Sequence, residues 1–110
     1  MKNYVQPGEN ITLTMTAEVA SGAGVLIGSI FGVAQGKAVA GEELVLVRRG
    51  IFDMPKTAAQ AWTVGAKIYW DDTNKVCTTT ATGNTQVGAA VDAAANPSGV
   101  GRVLLDGVIR

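Results

Sequence analysis

The sequence predicts an all-β fold: a compact β-barrel or sandwich of about seven or eight short strands with one short helix. Fourteen glycines and three prolines interrupt the 110-residue chain every few residues, and this punctuation favours short strands joined by turns. Several segments alternate apolar and polar residues with a period of two, which is typical of half-buried strands. Only one stretch has helical propensity, and it is about one or two turns long.

Two strands are predicted in the first third of the chain. Residues 11–17 alternate strictly, with isoleucine, leucine, methionine and alanine on one face and threonines on the other. Residues 25–33 are apolar on both faces, which predicts one buried strand that is bent or bulged at Gly28. A turn over residues 21–24 separates the two strands.

The middle of the chain predicts a long strand followed by the helix. Residues 43–50 form the strand, and residues 51–54 continue it after a kink at Gly50. Pro55 stops this strand because proline cannot donate a backbone hydrogen bond to a neighbouring strand. The short helix is predicted over residues 56–61, which are rich in alanine.

The last third predicts a hairpin and a closing strand. Residues 67–70 predict one strand, and the β-branched residues 76–81 predict another. Gly83-Asn84 is a two-residue turn signal of the primed type, which joins residues 76–81 to a strand over 86–91 as one hairpin. Residues 100–105 close the chain with a further alternating strand.

The composition excludes disorder and argues against nucleic acid as a partner. Apolar residues make up 47% of the chain and charged residues 16%, against about 25% charged in an average domain. This apolar excess indicates a surface that a partner covers. Nine basic and nine acidic residues cancel, so the chain lacks the long-range attraction on which non-specific nucleic-acid binding depends. No apolar run reaches transmembrane length and the first residues do not resemble a signal peptide, so we expect no membrane partner.

The sequence predicts no enzyme, no cofactor and no metal site. The chain has no histidine, which excludes histidine-based triads and histidine metal sites. Its one cysteine, Cys77, has no histidine partner, Lys75 is the only cation close to it in the sequence, and a single cysteine cannot form an intrachain disulfide. Residues 32–38 resemble a phosphate loop but have one residue too few between the glycines, and Ala38 replaces the hydroxyl residue. Asp71-Asp72 predicts a hydrogen-bonded turn rather than a carboxylate pair.

The large aromatic residues are candidate anchors of the core or of an oligomer contact. These are Trp62, Trp70 and Phe52. Arg48-Arg49 predicts a solvated strand end, with a contact to phosphate or to a partner carboxylate as the alternative.

Three segments taken in order resemble a family of phage proteins. They are Lys2–Gly8 before the threonine-alternating strand, Gly50–Lys56 with Ala61-Trp62 and Val64-Gly65, and Ile68–Asp72 with Thr78–Asn84 and Val87-Gly88. In this order they resemble the small capsid cement, or head decoration, proteins of tailed phages and prophages, a family long described as a domain of unknown function (number 2190). The resemblance runs from Lys2 to about Leu105. It implies a β-rich homotrimer on the outside of the head, with no catalysis and no cofactor.

The expected function is therefore a non-enzymatic capsid cement protein. It would bind the major capsid protein on the outer surface of the virion, bridge neighbouring subunits and stabilise the shell, after synthesis in the bacterial host cytoplasm. The alternative is a β-rich binding module of a phage tail or fibre, and a small hydrolase is the third hypothesis. A tail module would favour glycine-rich repeats or a coiled-coil stem, and the sequence contains neither. A hydrolase would need a catalytic acid–base pair, and the sequence indicates none.

Residues 1–10 predict an extended N-terminal arm before a single β domain over residues 11–110. An extended arm can add to an exposed strand edge of the shell, with pockets for alternate side chains giving specificity. The candidate capsid-binding residues are Tyr4, Val5, Gln6 and Pro7. The alternative is a disordered terminus, in which case the loops around residues 53–61 carry the contact.

Overall fold

Two antiparallel sheets form the part of the chain that the computed structural model describes, residues 8–109. The strands are β1 (Asn10–Thr14), β2 (Gly24–Ile27), β3 (Ile30–Ala34), β4 (Glu43–Val47), β5 (Arg49–Pro55), β6 (Lys67–Asp71), β7 (Val76–Thr78), β8 (Thr85–Ala90) and β9 (Val100–Asp106). One sheet has the order β1-β4-β3-β2 and the other β5-β9-β8-β6-β7. The all-β prediction is confirmed as a sandwich, with nine strands in the described residues rather than seven or eight.

The predicted helix over residues 56–61 is wrong, because tertiary contacts hold this segment in an irregular conformation. The Thr57 amide donates to the carbonyl of Cys77 at 3.0 Å. The Gln60 side chain donates to the Thr78 hydroxyl and accepts from the Thr79 amide, each at 3.0 Å. These contacts to Cys77, Thr78 and Thr79 outweigh the helical propensity of residues 56–61, a segment that is too short to nucleate a helix alone.

The predicted single strand over residues 25–33 is a hairpin. Gly28 has a φ of +59°, which reverses the chain so that β2 pairs with β3 and Ile27 lies opposite Ile30. Glycine adopts this left-handed conformation without the steric cost that other residues incur. The predicted continuous strand over residues 43–54 is likewise two strands, because β4 ends at Val47 and β5, which begins at Arg49 and runs through Gly50, lies in the other sheet. Pro55 ends β5, as predicted.

The predicted hairpin between residues 76–81 and 86–91 is also wrong. Both β7 and β8 pair with β6, one on each side, so they are not neighbours. Gly83 does have the positive φ expected of a turn residue, +75°, but residues 79–84 carry the chain from one edge of β6 to the other. The turn signal marks a local turn correctly, but β7 and β8 both run antiparallel to β6, so the chain does not reverse direction between them.

Two hydrophobic clusters make up the core. The larger contains Met54, Ile68, Val103 and Leu105 together with Trp62 and Trp70, and the smaller contains Met15, Ala34, Leu44 and Leu46. Phe31 of β3 packs on Trp70 with ring centroids 5.1 Å apart, which joins the two sheets. Close approach to the indole rings requires glycine, since a Cβ at Gly24 would lie 2.7 Å from Trp70 and one at Gly101 would lie 2.2 Å from Trp62.

Candidate functional site

Cys77 lies in β7 as a fully buried side chain with 0% exposure. Desolvation by the surrounding core raises the pKa of its thiol to about 12. The group therefore stays a neutral thiol at physiological pH and acts as a small apolar side chain.

Asp71 forms the hydrogen-bonded turn predicted from the sequence. Its Oδ1 accepts from the backbone amides of Thr73 at 3.0 Å and Asn74 at 3.2 Å, and its Oδ2 accepts from the Asn74 side chain at 2.8 Å. The side-chain hydrogen bond from Asn74 is the main cause that lowers the pKa of this carboxyl. Asp71 thus stabilises the β6–β7 turn as an ionised acceptor.

Asp72 points the other way, toward the indole of Trp70. It accepts from Trp70 Nε1 at 3.0 Å and from Lys75 Nζ at 2.7 Å. The hydrogen bond from Lys75 is the main cause that lowers the pKa of Asp72. The two adjacent carboxylates therefore serve different partners and do not share one site.

A cleft of about 380 Å³ lies between the two sheets, next to β2. Met15, Leu26 and Trp70 are among its apolar lining residues, and Glu18 and Lys75 are among its charged ones. Across residues 8–109, histidine, cysteine, aspartate and glutamate form no group of three that could hold a metal ion. A helix long and apolar enough to span a membrane is likewise absent from the described residues.

Lys56 is a buried lysine that the sequence analysis missed. It is 3% exposed, and its Nζ donates to the carbonyl oxygens of Thr57 at 2.9 Å, Ser98 at 3.2 Å and Ala95 at 3.4 Å. The ammonium group also lies 5.7 Å from the ring centroid of Trp62. Lys56 thus joins the end of β5 to the loop before β9. No local signal predicts this, because two of the carbonyls come from residues about forty positions away.

The three candidate aromatic anchors lie in or beside the larger core of a single chain. Trp62 and Trp70 are each 2% exposed, and Phe52 is partly buried against the same cluster. The Nε1 atom of Trp62 is buried and has no hydrogen-bond partner among the described residues.

The candidate arm residues Tyr4, Val5, Gln6 and Pro7 lie outside the described residues. The residues that follow them in the sequence, Gly8 and Glu9, are bound by Arg48. The guanidinium of Arg48 donates to the carbonyl of Gly8 and, at 2.5 Å, to the carbonyl of Gly107. The Arg48 amide also donates to the carbonyl of Glu9 at 2.8 Å. Arg48 therefore ties Gly8 and Glu9 to the segment that follows β9, in place of the solvated strand end predicted for it.

The C-terminal segment exposes apolar side chains beside this point. Gly107 turns the chain with a φ of +69°, after which Val108 and Ile109 are 56% and 57% exposed. We call the region formed by Gly8, Arg48 and Gly107–Ile109 the arm pole. It combines an anchored backbone with exposed apolar side chains beside Gly8, the first described residue.

A second exposed surface covers the outer side of β5 and β9, which pair along their whole length. We call it the β5–β9 face. Its residues are Arg49, Ile51, Asp53 and Pro55 on β5, and Val100, Arg102, Leu104 and Asp106 on β9. Arg102 Nε donates to Asp53 Oδ1 at 2.9 Å, and Arg102 Nη1 donates to Asp92 Oδ2 at 3.3 Å. The hydrogen bond from Arg102 is the main cause that lowers the pKa of Asp53.

Comparison with known proteins identifies the family. The family model of phage cement proteins matches residues 5–105, which include all nine strands except the last residue of β9. Neither the curated proteins nor the solved structures contain a match to the chain. The match covers most of the chain and agrees with the resemblance seen in the sequence. The chain belongs to the phage cement protein family, and its role is that of a structural protein associated with the phage capsid.

Proposed function

We propose that this protein binds the outside of the phage head and stabilises the shell by bridging neighbouring subunits of the major capsid protein. The observation that carries the proposal is the family match over residues 5–105. The described surface is consistent with a binding role, since its exposed features are apolar side chains and paired charges. The neutral thiol of Cys77 and the carboxylates of Asp71 and Asp72, each hydrogen-bonded to a different donor, support a function without catalysis.

The N-terminal arm, residues 1–10, is the proposed contact with the capsid, and residues 11–110 form the body. The arm residues that make the contact are Tyr4, Val5, Gln6 and Pro7. Two features of the arm pole support this. Arg48 fixes the backbone at Gly8, so the arm leaves the body from a defined point. Val108 and Ile109 add exposed apolar area beside that point. An extended arm that adds to a strand edge of the shell gains main-chain hydrogen bonds as well as side-chain contacts.

The resemblance to the family predicts that several copies act together, as a homotrimer. Several arms on one oligomer would bind neighbouring sites at once, and weak single contacts would then add up to high avidity. The zero net charge supports a protein partner rather than nucleic acid. Synthesis in the bacterial host cytoplasm and assembly onto the outer surface of the virion complete the proposal.

The test is co-sedimentation with undecorated capsids. Deleting residues 2–7 keeps Gly8 and its hydrogen bond to Arg48, so the body should fold unchanged while shell binding is lost. Replacing Tyr4 and Val5 by serine keeps the length of the arm and isolates its side chains. Val64→Ser is the matched control, because Val64 is 70% exposed and lies outside the arm pole.

Wild-type occupancy by the deleted protein would overturn the arm as the anchor. It would move the contact to the body, with the loops around residues 53–61 as the next candidate. Binding of the wild-type protein to purified tails and not to heads would favour the alternative, a tail or fibre module.

A further inference from the structure

β2 is an edge strand, since it comes last in the sheet β1-β4-β3-β2 and pairs with β3 alone among the described strands. The two-residue turn after β2 makes Ile27 a hydrogen-bonded partner of β3, and in an antiparallel pair such partners recur at every second residue. The Ala34 amide donates to the carbonyl of Ala23 at 2.9 Å, which fits this alternation. The backbone N–H and C=O groups of Gly24 and Leu26 therefore point away from β3.

These outward groups are unpaired within the part of the chain that the structure describes. Outside the β2–β3 pairing, neither Gly24 nor Leu26 makes a hydrogen bond to another described residue. Proteins usually protect a free sheet edge with a charged residue, a proline or a bulge. β2 has the sequence Gly-Val-Leu-Ile, which contains none of these. Its outer side therefore offers two N–H groups and two carbonyls to an added strand.

The cleft of about 380 Å³ beside this edge, which we call the β2 cleft, is lined by both hydrophobic clusters. Met15 and Val25 belong to or pack on the smaller cluster, and Trp70 and Leu26 belong to or pack on the larger. Successive residues of β2 thus pack on different clusters. A strand added at this edge would lie between the two apolar layers, so we expect it to be apolar on both faces, like a fully buried strand.

Glu18 gives the rim of the β2 cleft an unbalanced negative charge. The other two charged residues that line the cleft pair with each other, because Lys75 Nζ donates to Asp72 Oδ1 at 2.7 Å. Glu18 is exposed and makes no hydrogen bond or ion pair with another described residue. A lysine or arginine next to the apolar run of the added strand would therefore find an acidic partner at the rim.

We propose that the β2 cleft binds an extended segment of the major capsid protein, in which about four apolar residues pair with β2 and an adjacent lysine or arginine contacts Glu18. The inference rests on the proposed function and adds a second contact to the arm. No residue of the arm pole lines the β2 cleft. β1, which follows the arm, and β2 form opposite edges of one sheet, about 14 Å apart at three strand spacings. Each copy could then hold two neighbouring shell subunits.

Proline at position 26 tests the added strand, because it removes an N–H group that β3 does not use. Leu26→Ala is the matched control, since it also removes the leucine side chain but keeps the N–H group. In co-sedimentation with undecorated capsids, Leu26→Pro should bind at least about tenfold more weakly than Leu26→Ala. Glu18→Lys should also weaken binding, whereas Glu43→Lys, at an exposed position outside the cleft, should not. Circular dichroism and thermal melting confirm that each variant is folded.

A photo-crosslinking residue in place of Ala20, which is exposed and lines the β2 cleft, identifies the occupant without relying on the proline variant. On bound heads it should crosslink to the major capsid protein, within a segment that has an apolar run beside a lysine or arginine. The same residue in place of Val64, outside the cleft, should not crosslink to that segment.

The outcomes separate this inference from the proposed function. Head binding in which Ala20 crosslinks only to another copy of this chain, or to nothing, would overturn the inference and leave the proposed function standing. Equal binding by folded Leu26→Pro and Leu26→Ala would do the same. Failure of the wild-type protein to bind heads would overturn the proposed function, and this inference with it.

Discussion

The ammonium group of Lys56 lies 5.7 Å from the centre of the Trp62 ring, although Lys56 is only 3% exposed. Buried lysines are rare because the charged group loses its hydration. Here three backbone carbonyls and an aromatic face replace the water. The pair thereby joins the end of β5, the irregular segment after it and the loop that leads into β9.

Replacing Lys56 by methionine should destabilise the fold. The substitution keeps an apolar side chain of similar length but leaves the carbonyls of Thr57, Ala95 and Ser98 without their donor. We expect a loss of about 1–3 kcal/mol in the free energy of unfolding, measured by urea denaturation. Lys67→Met is the control, because Lys67 is exposed and should change the value by less than about 0.5 kcal/mol. Equal effects of the two substitutions would show that the buried ammonium group contributes nothing specific.

Truncation of Trp70 should be among the most destabilising single changes. The ring packs against Phe31 of the other sheet, and its Nε1 donates to Asp72. Trp70→Ala should cost about 3–5 kcal/mol, as expected for a large aromatic in a core. Trp70→Phe retains most of the packing and loses the hydrogen bond, so it should cost less than the alanine variant. A loss below about 1 kcal/mol for Trp70→Ala in chemical denaturation would contradict the role of this contact between the sheets.

Cys77 should make the fold sensitive to alkali. The pKa of its thiol is raised from 9.0 to about 12 in the folded chain, so between these values the unfolded chain binds fewer protons than the folded chain. Stability is therefore fully present below about pH 9 and falls as the pH rises toward about 12. The contribution is on the order of 4 kcal/mol across this interval. Cys77→Ala should flatten that part of the stability–pH curve, and an unchanged slope would show that the thiol is ionised in the folded chain.

Gly101 should not tolerate a side chain. A Cβ at this position would lie 2.2 Å from the ring of Trp62, which is held by the surrounding core. Gly101→Ala should cost about 1–3 kcal/mol through overpacking and lower the melting temperature. Gly36→Ala is the matched control, since a Cβ there meets nothing within 4 Å and should leave melting nearly unchanged. Similar melting of the two variants would argue against the close packing of β9 on Trp62.

Local periodicity predicted β1 and β9 because burial alternates from residue to residue along each of them. The alternating segment 11–17 contains β1, which ends at Thr14 rather than at residue 17, and residues 100–105 lie in β9, where buried and exposed residues alternate. The same signals could not give the pairing. Gly83 turns the chain as predicted, but only the hydrogen bonds of β6 decide that β7 and β8 lie on opposite sides of it.

The functional features were likewise only partly predictable from the sequence. The family resemblance was visible in the order of several short segments, and the family match confirms it. The Arg48 contacts and the Asp53–Arg102 ion pair could not be predicted from the sequence, because each joins residues that are far apart along the chain. Arg48 and Gly107 are 59 positions apart, and Asp53 and Arg102 are 49 apart. The roles of Tyr4, Val5, Gln6 and Pro7 remain predictions.

A cryo-electron microscopy reconstruction of phage heads incubated with this protein tests the central claim most directly. The account predicts ordered density on the outer surface at regular lattice positions, large enough for the β body, with the N-terminal arm in contact with the major capsid protein. Heads that carry no added density under saturating protein would contradict it. Density confined to the tail or to the inner surface of the shell would contradict it as well.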